Sequence, residues 1–455
     1  MSNKNSGRSR SLKNYIHLSR NGRSSRRYSR MSEKNTHRNP PASFLHQAQN
    51  FFTDNFLAWF VHDWWIRKRC PYPSVIHKSV YNLESYGEQP APVTFCIAAD
   101  WASATSQAAH VATAIREKKP DFTIHLGDTY YSGTSAELAL SFGDAGNGLW
   151  PRGRFGSFAL AGNHEMFSSG APFLDMILSG KRGFGLFDPM TGKFSGQEAS
   201  CFCVRTESWC ILGLDTGYDS LKQHLLQRIF DRHPDNLDLT LPQPVITWLK
   251  EVVKIGEEKR GIIILTHHPY SSAFKEEKEF SGPAKQLQEL LAADKEVIWL
   301  WGHEHRFSMY GKYRKGPEFI RAYGRCIGNG GMPDEHLPAR SVDKTLSQKR
   351  NLVLYDHRTA DTFVFENGRR LDIGYNGYAT MSIDKERLDI TYYAAYGTSD
   401  QYRQGYDQPI IRESWIANTT TNRIHCIYVK DYTYDNAQDN RVSYYGRPDP
   451  MRISQ

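Results

Sequence analysis

Five short polar clusters carry the residue types of metal chemistry, and each stands directly behind an apolar run. Asp100 follows FCIAA, Asp128 follows TIHLG, and Asn163-His164-Glu165 follows FALAG. His267-His268 follows IIILT, and His303-Glu304-His305 follows VIWLWG. Carboxylates and an amide carbonyl suit hard cations, whereas imidazoles suit zinc, iron, manganese or cobalt. One carboxylate can bridge two ions ~3.5–4 Å apart, and such a pair activates water near neutral pH and neutralises a phosphoryl group. No single cluster is specific; their regular placement is.

The elements behind the clusters read as an α/β domain. Apolar runs occur at Val93–Ala99, Phe122–Leu126, Ser157–Ala161, Cys201–Arg205, Trp209–Leu214, Gly261–Leu265 and Val297–Trp301. Helical patterns fall at about Ser103–Lys118, at Pro244–Val253 and from near Pro283, where proline suits a first turn. Strands alternating with helices predict a layered α/β fold. In such sheets ligands bind at the carboxyl ends of strands, so the five clusters would meet on one edge. Further on, Ala379-Met381-Ile383 and Leu388-Ile390-Tyr392 alternate with polar residues around Asp384-Lys385-Glu386, the pattern of a β-hairpin.

GDTYY (Gly127 to Tyr131), GNHE (Gly162 to Glu165), THHP (Thr266 to Pro269) and GHEH (Gly302 to His305), in this order, resemble the calcineurin-like metallophosphoesterases. The tyrosine resembles the GDxxY of the purple acid phosphatases; the GDxxDRG of the related protein phosphatases is missing. The resemblance spans roughly Val93 to Tyr396 and implies a four-layer αββα sandwich. It implies that Asp100, Asp128, Tyr131 and His305 hold a first metal, that Asp128 bridges, and that Asn163, His267 and His303 complete a second. In this register Tyr130 is the nearest rival to Tyr131. The metals so implied are Fe(III) with Zn, Mn or Fe(II). His164 would contact the phosphate and protonate the leaving oxygen, with Glu165 orienting it, and His268 would face the substrate. The implied reaction is phosphomonoester hydrolysis by a metal-activated hydroxide; a phosphodiesterase or nuclease using the same site is the alternative. Two departures bear on this. Ala102 stands where the purple enzymes usually carry glycine, and Ser271-Ser272-Ala273 brings none of the extra histidines of plant members.

The remaining composition frames that centre. Net charge is +8 overall, but the first 40 residues hold eleven Lys or Arg against one acid, or +10, leaving −2 for the rest. The expected organisation is a disordered basic tail over 1–45, an aromatic-rich docking helix and linker over 46–90, a catalytic domain over 91–396 and a β-rich extension over 397–455. The tail offers a surface for nucleic acid or another anionic partner. Phe52, Phe56, Trp59, Phe60 and Trp64 recur at helical spacing, in a stretch too short to span a bilayer. Seven scattered cysteines form no disulfide framework, and no secretory signal is evident, so the expectation is a reducing, cytoplasmic setting. Cys201 and Cys203, two apart in a strand-like run, share a face and read as core. His110 and His125 read as structural, and Asp215 as a support for the fold.

Overall fold

The computed structural model describes residues 71–72, 79–83, 92–444 and 453, except 144–148, 179, 181–182, 189–191, 221–238, 276–279, 293, 337–340, 365–367, 396–406 and 434–441. The basic tail and the aromatic stretch Phe51–Ile66 lie outside the described residues.

Apolar runs without polar alternation need cover on both faces of the pleat, and two sheets backed by helices supply it. In chain order the strands are β1 (Val80–Asn82), β2 (Val93–Ala98), β3 (Phe122–His125), β4 (Gly156–Ala159), β5 (Gly185–Asp188), β6 (Lys193–Gly196), β7 (Phe202–Arg205), β8 (Trp209–Gly213), β9 (Gly261–Thr266) and β10 (Glu296–Trp301). They continue with β11 (Phe307–Tyr313), β12 (Arg321–Ile327), β13 (Leu352–Asp356), β14 (Thr359–Val364), β15 (Arg370–Gly374), β16 (Asn376–Asp384), β17 (Arg387–Ala395), β18 (Asp407–Asn418), β19 (Arg423–Asp431) and β20 (Val442–Tyr444). One nine-stranded sheet runs β1-β7-β8-β9-β10-β12-β11-β13-β20, and the other runs β19-β18-β17-β16-β2-β3-β4-β5-β6. A separate two-stranded ribbon joins β14 and β15.

Three apolar cores separate four layers. Alternate residues of one strand serve different cores: Ile263 and Leu265 of β9 point between the sheets, while Ile262 and Ile264 point to the outer layer. Phe95 and Ile97 of β2 likewise enter the central core, and Cys96 and Ala98 the opposite outer one. Cys201, Cys203 and Cys210 pack in the outer core of the first sheet, beneath helix Gln243–Trp248 and helix Gly282–Leu290. Helices Ser106–Lys118, Ser135–Phe142 and Ala171–Leu178 cover the second sheet. The architecture is the αββα sandwich. Among the described residues, no helix is long and apolar enough to cross a membrane.

Strands β16 and β17 form the expected hairpin, paired from Asn376–Ala395 to Asp384–Arg387 around a turn at Lys385 and Glu386. It lies inside the second sheet, where β16 pairs antiparallel with β2. The β18 and β19 strands extend the same sheet, and a buried Arg325–Glu413 pair (2.7 and 2.9 Å) links β12 of one sheet to β18 of the other. The expected helix Pro244–Val253 begins at Gln243 but widens into a π turn over Leu249–Val253.

Candidate metal centre

Parallel strands β2, β3 and β4 lie side by side in one sheet, and β9 and β10 in the other, so their carboxyl ends deliver all five clusters to one place. The backbone there is bent hard. Asp100 (φ 55°), Asp128 (φ 69°) and His303 (φ 67°) adopt left-handed conformations. Each costs on the order of 1–2 kcal/mol in a residue with a Cβ, and the surroundings must hold it. The Asp100 amide donates to the Gly127 carbonyl (3.1 Å), and the Asp100 Oδ2 accepts from the His303 amide (2.8 Å). Glycine is required at two close approaches. A Cβ on Gly162 would stand on the Asp128 carboxylate, and one on Gly302 would lie 2.5 Å from Asp100 Oδ2.

Two donor groups share one oxygen. On one side the Tyr130 hydroxyl donates to Asp100 Oδ1 (2.6 Å) and touches His305 Nε2 (2.8 Å), which is itself 3.6 Å from Asp100 Oδ1. On the other side His267 Nε2 lies 3.2 Å from Asn163 Oδ1, and the His303 ring stands 5.3 Å from the His267 ring. Asp128 Oδ2 lies between, 3.2 Å from the Tyr130 hydroxyl and 3.3 Å from His267 Nε2. Ligand atoms of Asp100, Asp128 and His267 all fall within 4.8 Å of one another, and so do those of His267, His268 and His303.

The donor chemistry fits metal ions. His267 Nδ1 bonds the Leu126 carbonyl (3.0 Å), so Nδ1 carries hydrogen and Nε2 is the nitrogen that faces the oxygens of Asn163 and Asp128. That arrangement is attractive with either a proton or a metal cation at Nε2. Burial opposes charge on His267, yet Asp128 and then Asp100 push its pKa up to about 9. Burial likewise opposes charge on Asp128, but His267, then His164 and His303, hold its carboxyl well below the usual range. The same negative field favours a metal cation, and binding one would displace the proton. His303 is driven down to about 3 by burial and by His267, leaving it a neutral donor.

Two sequence expectations change. The hydroxyl among the carboxylates is that of Tyr130, where Tyr131 was expected. The Tyr131 amide is drawn to Glu137 Oε1 (2.7 Å) and its carbonyl to His164 Nδ1 (2.6 Å). With the Tyr131 backbone fixed on both sides, the residue before it presents its ring to the centre. Glu165 was expected to orient His164. Its carboxylate instead accepts from the amides of Gly162 (2.7 Å) and Asp128 (3.2 Å), so it shapes the backbone that carries Asp128. The ring of His164 is set by the Tyr131 carbonyl, and its Nε2 lies 3.7 Å from Asp128 Oδ2. His268 is buried, tied through Nδ1 to Thr216 Oγ1 (3.1 Å), with its ring against Phe280 (4.6 Å) and His303 (4.6 Å).

The structural residues behave as such. His125 packs edge-on to Phe142 and Trp150, and burial drives it down to about 3. Asp215 accepts from the amides of Gly217 and Tyr218 (2.9 Å each) and from Ser200. Glu137 and the Leu126 carbonyl were not anticipated as parts of the centre. The Thr134-x-x-Glu137 spacing of a capping box was the available signal for Glu137.

Residues 93–307 match the family of calcineurin-like phosphoesterases. This chain therefore carries a calcineurin-like metallophosphoesterase domain, and it is a metal-dependent phosphoric ester hydrolase. Among solved structures it is similar to PhoD, at 10% identity and a TM-score of 0.43 over 75% of this chain and 72% of that one. A purple acid phosphatase, PPD1 from yellow lupin seeds, aligns at 11% identity and a TM-score of 0.37, over 72% of this chain and 53% of that one. GAP50, the anchor in the inner membrane complex of Plasmodium, aligns at 10% identity and a TM-score of 0.39, over 70% of this chain and 89% of that one. No curated protein matches the sequence.

Proposed function

We propose that the chain hydrolyses phosphate monoesters at a dinuclear centre, with Asp100, Tyr130 and His305 holding one metal and Asn163, His267 and His303 the other. Asp128 would serve both, since its Oδ2 is the oxygen that both donor groups approach; this observation carries the reading. When bound, the metals lower the pKa of water and neutralise phosphoryl charge. Iron(III) suits the tyrosine-bearing position, and zinc, manganese or iron(II) the imidazole-rich one.

The chain's own residues supply the rest. His164 Nδ1, held by the Tyr131 carbonyl, keeps its hydrogen, so Nε2 is the atom free to pass a proton to the leaving oxygen. Its side chain is 23% exposed, open to substrate, whereas Asp128 is almost wholly enclosed. His268, beside His303, would present its remaining nitrogen to the phosphate. The test is turnover of an aryl phosphate by metal-loaded protein. Asp128→Asn should abolish it; an undiminished rate would refute the assignment.

A further inference from the structure

We infer that Glu137, outside the metal ligands, is a positioning residue that fixes both the tyrosine and the histidine of the centre; this rests on the reading above. Its buried carboxylate takes the Tyr131 amide on Oε1 (2.7 Å). Its Oε2 takes the amides of Ser132 (3.2 Å) and Thr134 (2.8 Å) and the Thr134 hydroxyl (2.9 Å). A helix cap explains only the Thr134 bonds, which form the capping box of helix Ser135–Phe142. The bonds to Tyr131 and Ser132 reach past the helix start into the segment that bears the site.

That segment is clamped on its other side too. Gly133 (φ 61°) lies so close to the GNHE turn that a Cβ there would fall 2.5 Å from the Glu165 Cα, and Ser168 Oγ donates to the Ser132 carbonyl (2.7 Å). The Tyr130 amide donates to the Ala102 carbonyl (3.0 Å). Held between these contacts, one short stretch delivers two groups. The Tyr130 hydroxyl meets Asp100, and the Tyr131 carbonyl meets His164 Nδ1. Glu137 thus couples a ligand to the proton donor without touching either.

Glu137→Gln keeps the size of the side chain but turns an amide NH2 toward one of the donors it now accepts. Thr134→Ala removes the capping hydroxyl and leaves the Tyr131 bond in place. Both variants should lower Tm. Glu137→Gln should reduce kcat on an aryl phosphate at least tenfold, with KM within threefold, while Thr134→Ala keeps kcat within twofold. In metal-free protein, the His164 Nδ1–H resonance of histidine-labelled samples should persist in Thr134→Ala and vanish in Glu137→Gln. If Glu137→Gln does not fold, Glu137→Asp, one methylene too short for Tyr131, replaces it with the same expectations. Retention of both kcat and the resonance would overturn the inference. A wild-type protein inactive with every metal tried would defeat the proposed function alone, since the resonance needs neither metal nor substrate.

Discussion

The two adjacent tyrosines give a direct separation of structure from family register. Tyr130→Phe removes a hydroxyl that lies 2.6 Å from Asp100 Oδ1, 3.2 Å from Asp128 Oδ2 and 2.8 Å from His305 Nε2, and leaves the backbone intact. A buried bond to a charged group contributes ~1.5–3 kcal/mol, and each ~1.4 kcal/mol is tenfold in binding. Loss of a ligand should weaken metal retention roughly 10- to 100-fold or more, the range seen when a metal site loses even an outer partner of a ligand. Tyr131→Phe keeps the amide bound by Glu137 and the carbonyl bound by His164. It should change metal retention and kcat/KM less than about threefold, well under 1 kcal/mol. Metal content after dialysis against a weak chelator, read beside aryl phosphate turnover, measures both. If Tyr131→Phe loses the metal and Tyr130→Phe keeps it, the geometric assignment is wrong.

Two further outcomes follow from the same geometry. His164→Asn should lower kcat by ~10²–10⁴ for alkyl phosphates and much less for nitrophenyl phosphate, whose leaving oxygen needs no proton; equal losses on both would remove His164 as the acid. His125 is held near 3 by burial, below its unfolded value of 6.5, so its contribution is present above about 6.5 and is lost as pH falls toward 3. The loss amounts to at most about 5 kcal/mol, and His125→Gln should flatten the acid limb of urea-monitored stability; an unchanged slope would refute this.

Much of the candidate centre was legible because each polar cluster follows a strand-forming run, and such runs bring their ends to one edge. The Ile262-Ile263-Ile264-Leu265 run reads as a doubly buried strand, and His267 follows from it. The tyrosine did not follow. Choosing between adjacent residues needs the local turn, and that turn is set by Glu137, six positions beyond Tyr131. Glu165 failed for a similar reason: its partners are backbone amides, which have no signature in side-chain types. Non-local pairing was equally hidden. Nothing in the alternation of Ala379, Met381 and Ile383 says that they lie beside Ile97, Phe95 and Val93, since register across nearly three hundred residues depends on packing in the whole core.

The central claim is that two metals, gathered about Asp128, carry the hydrolysis. Stripping the protein with a chelator and restoring metal in measured steps, with bound metal and aryl phosphate turnover read on the same samples, tests it most directly. Activity should be lost in the stripped protein and should recover to a plateau at two ions per chain, with Asp128→Asn never recovering. Full turnover with metal removed, or a plateau at one ion, would contradict it.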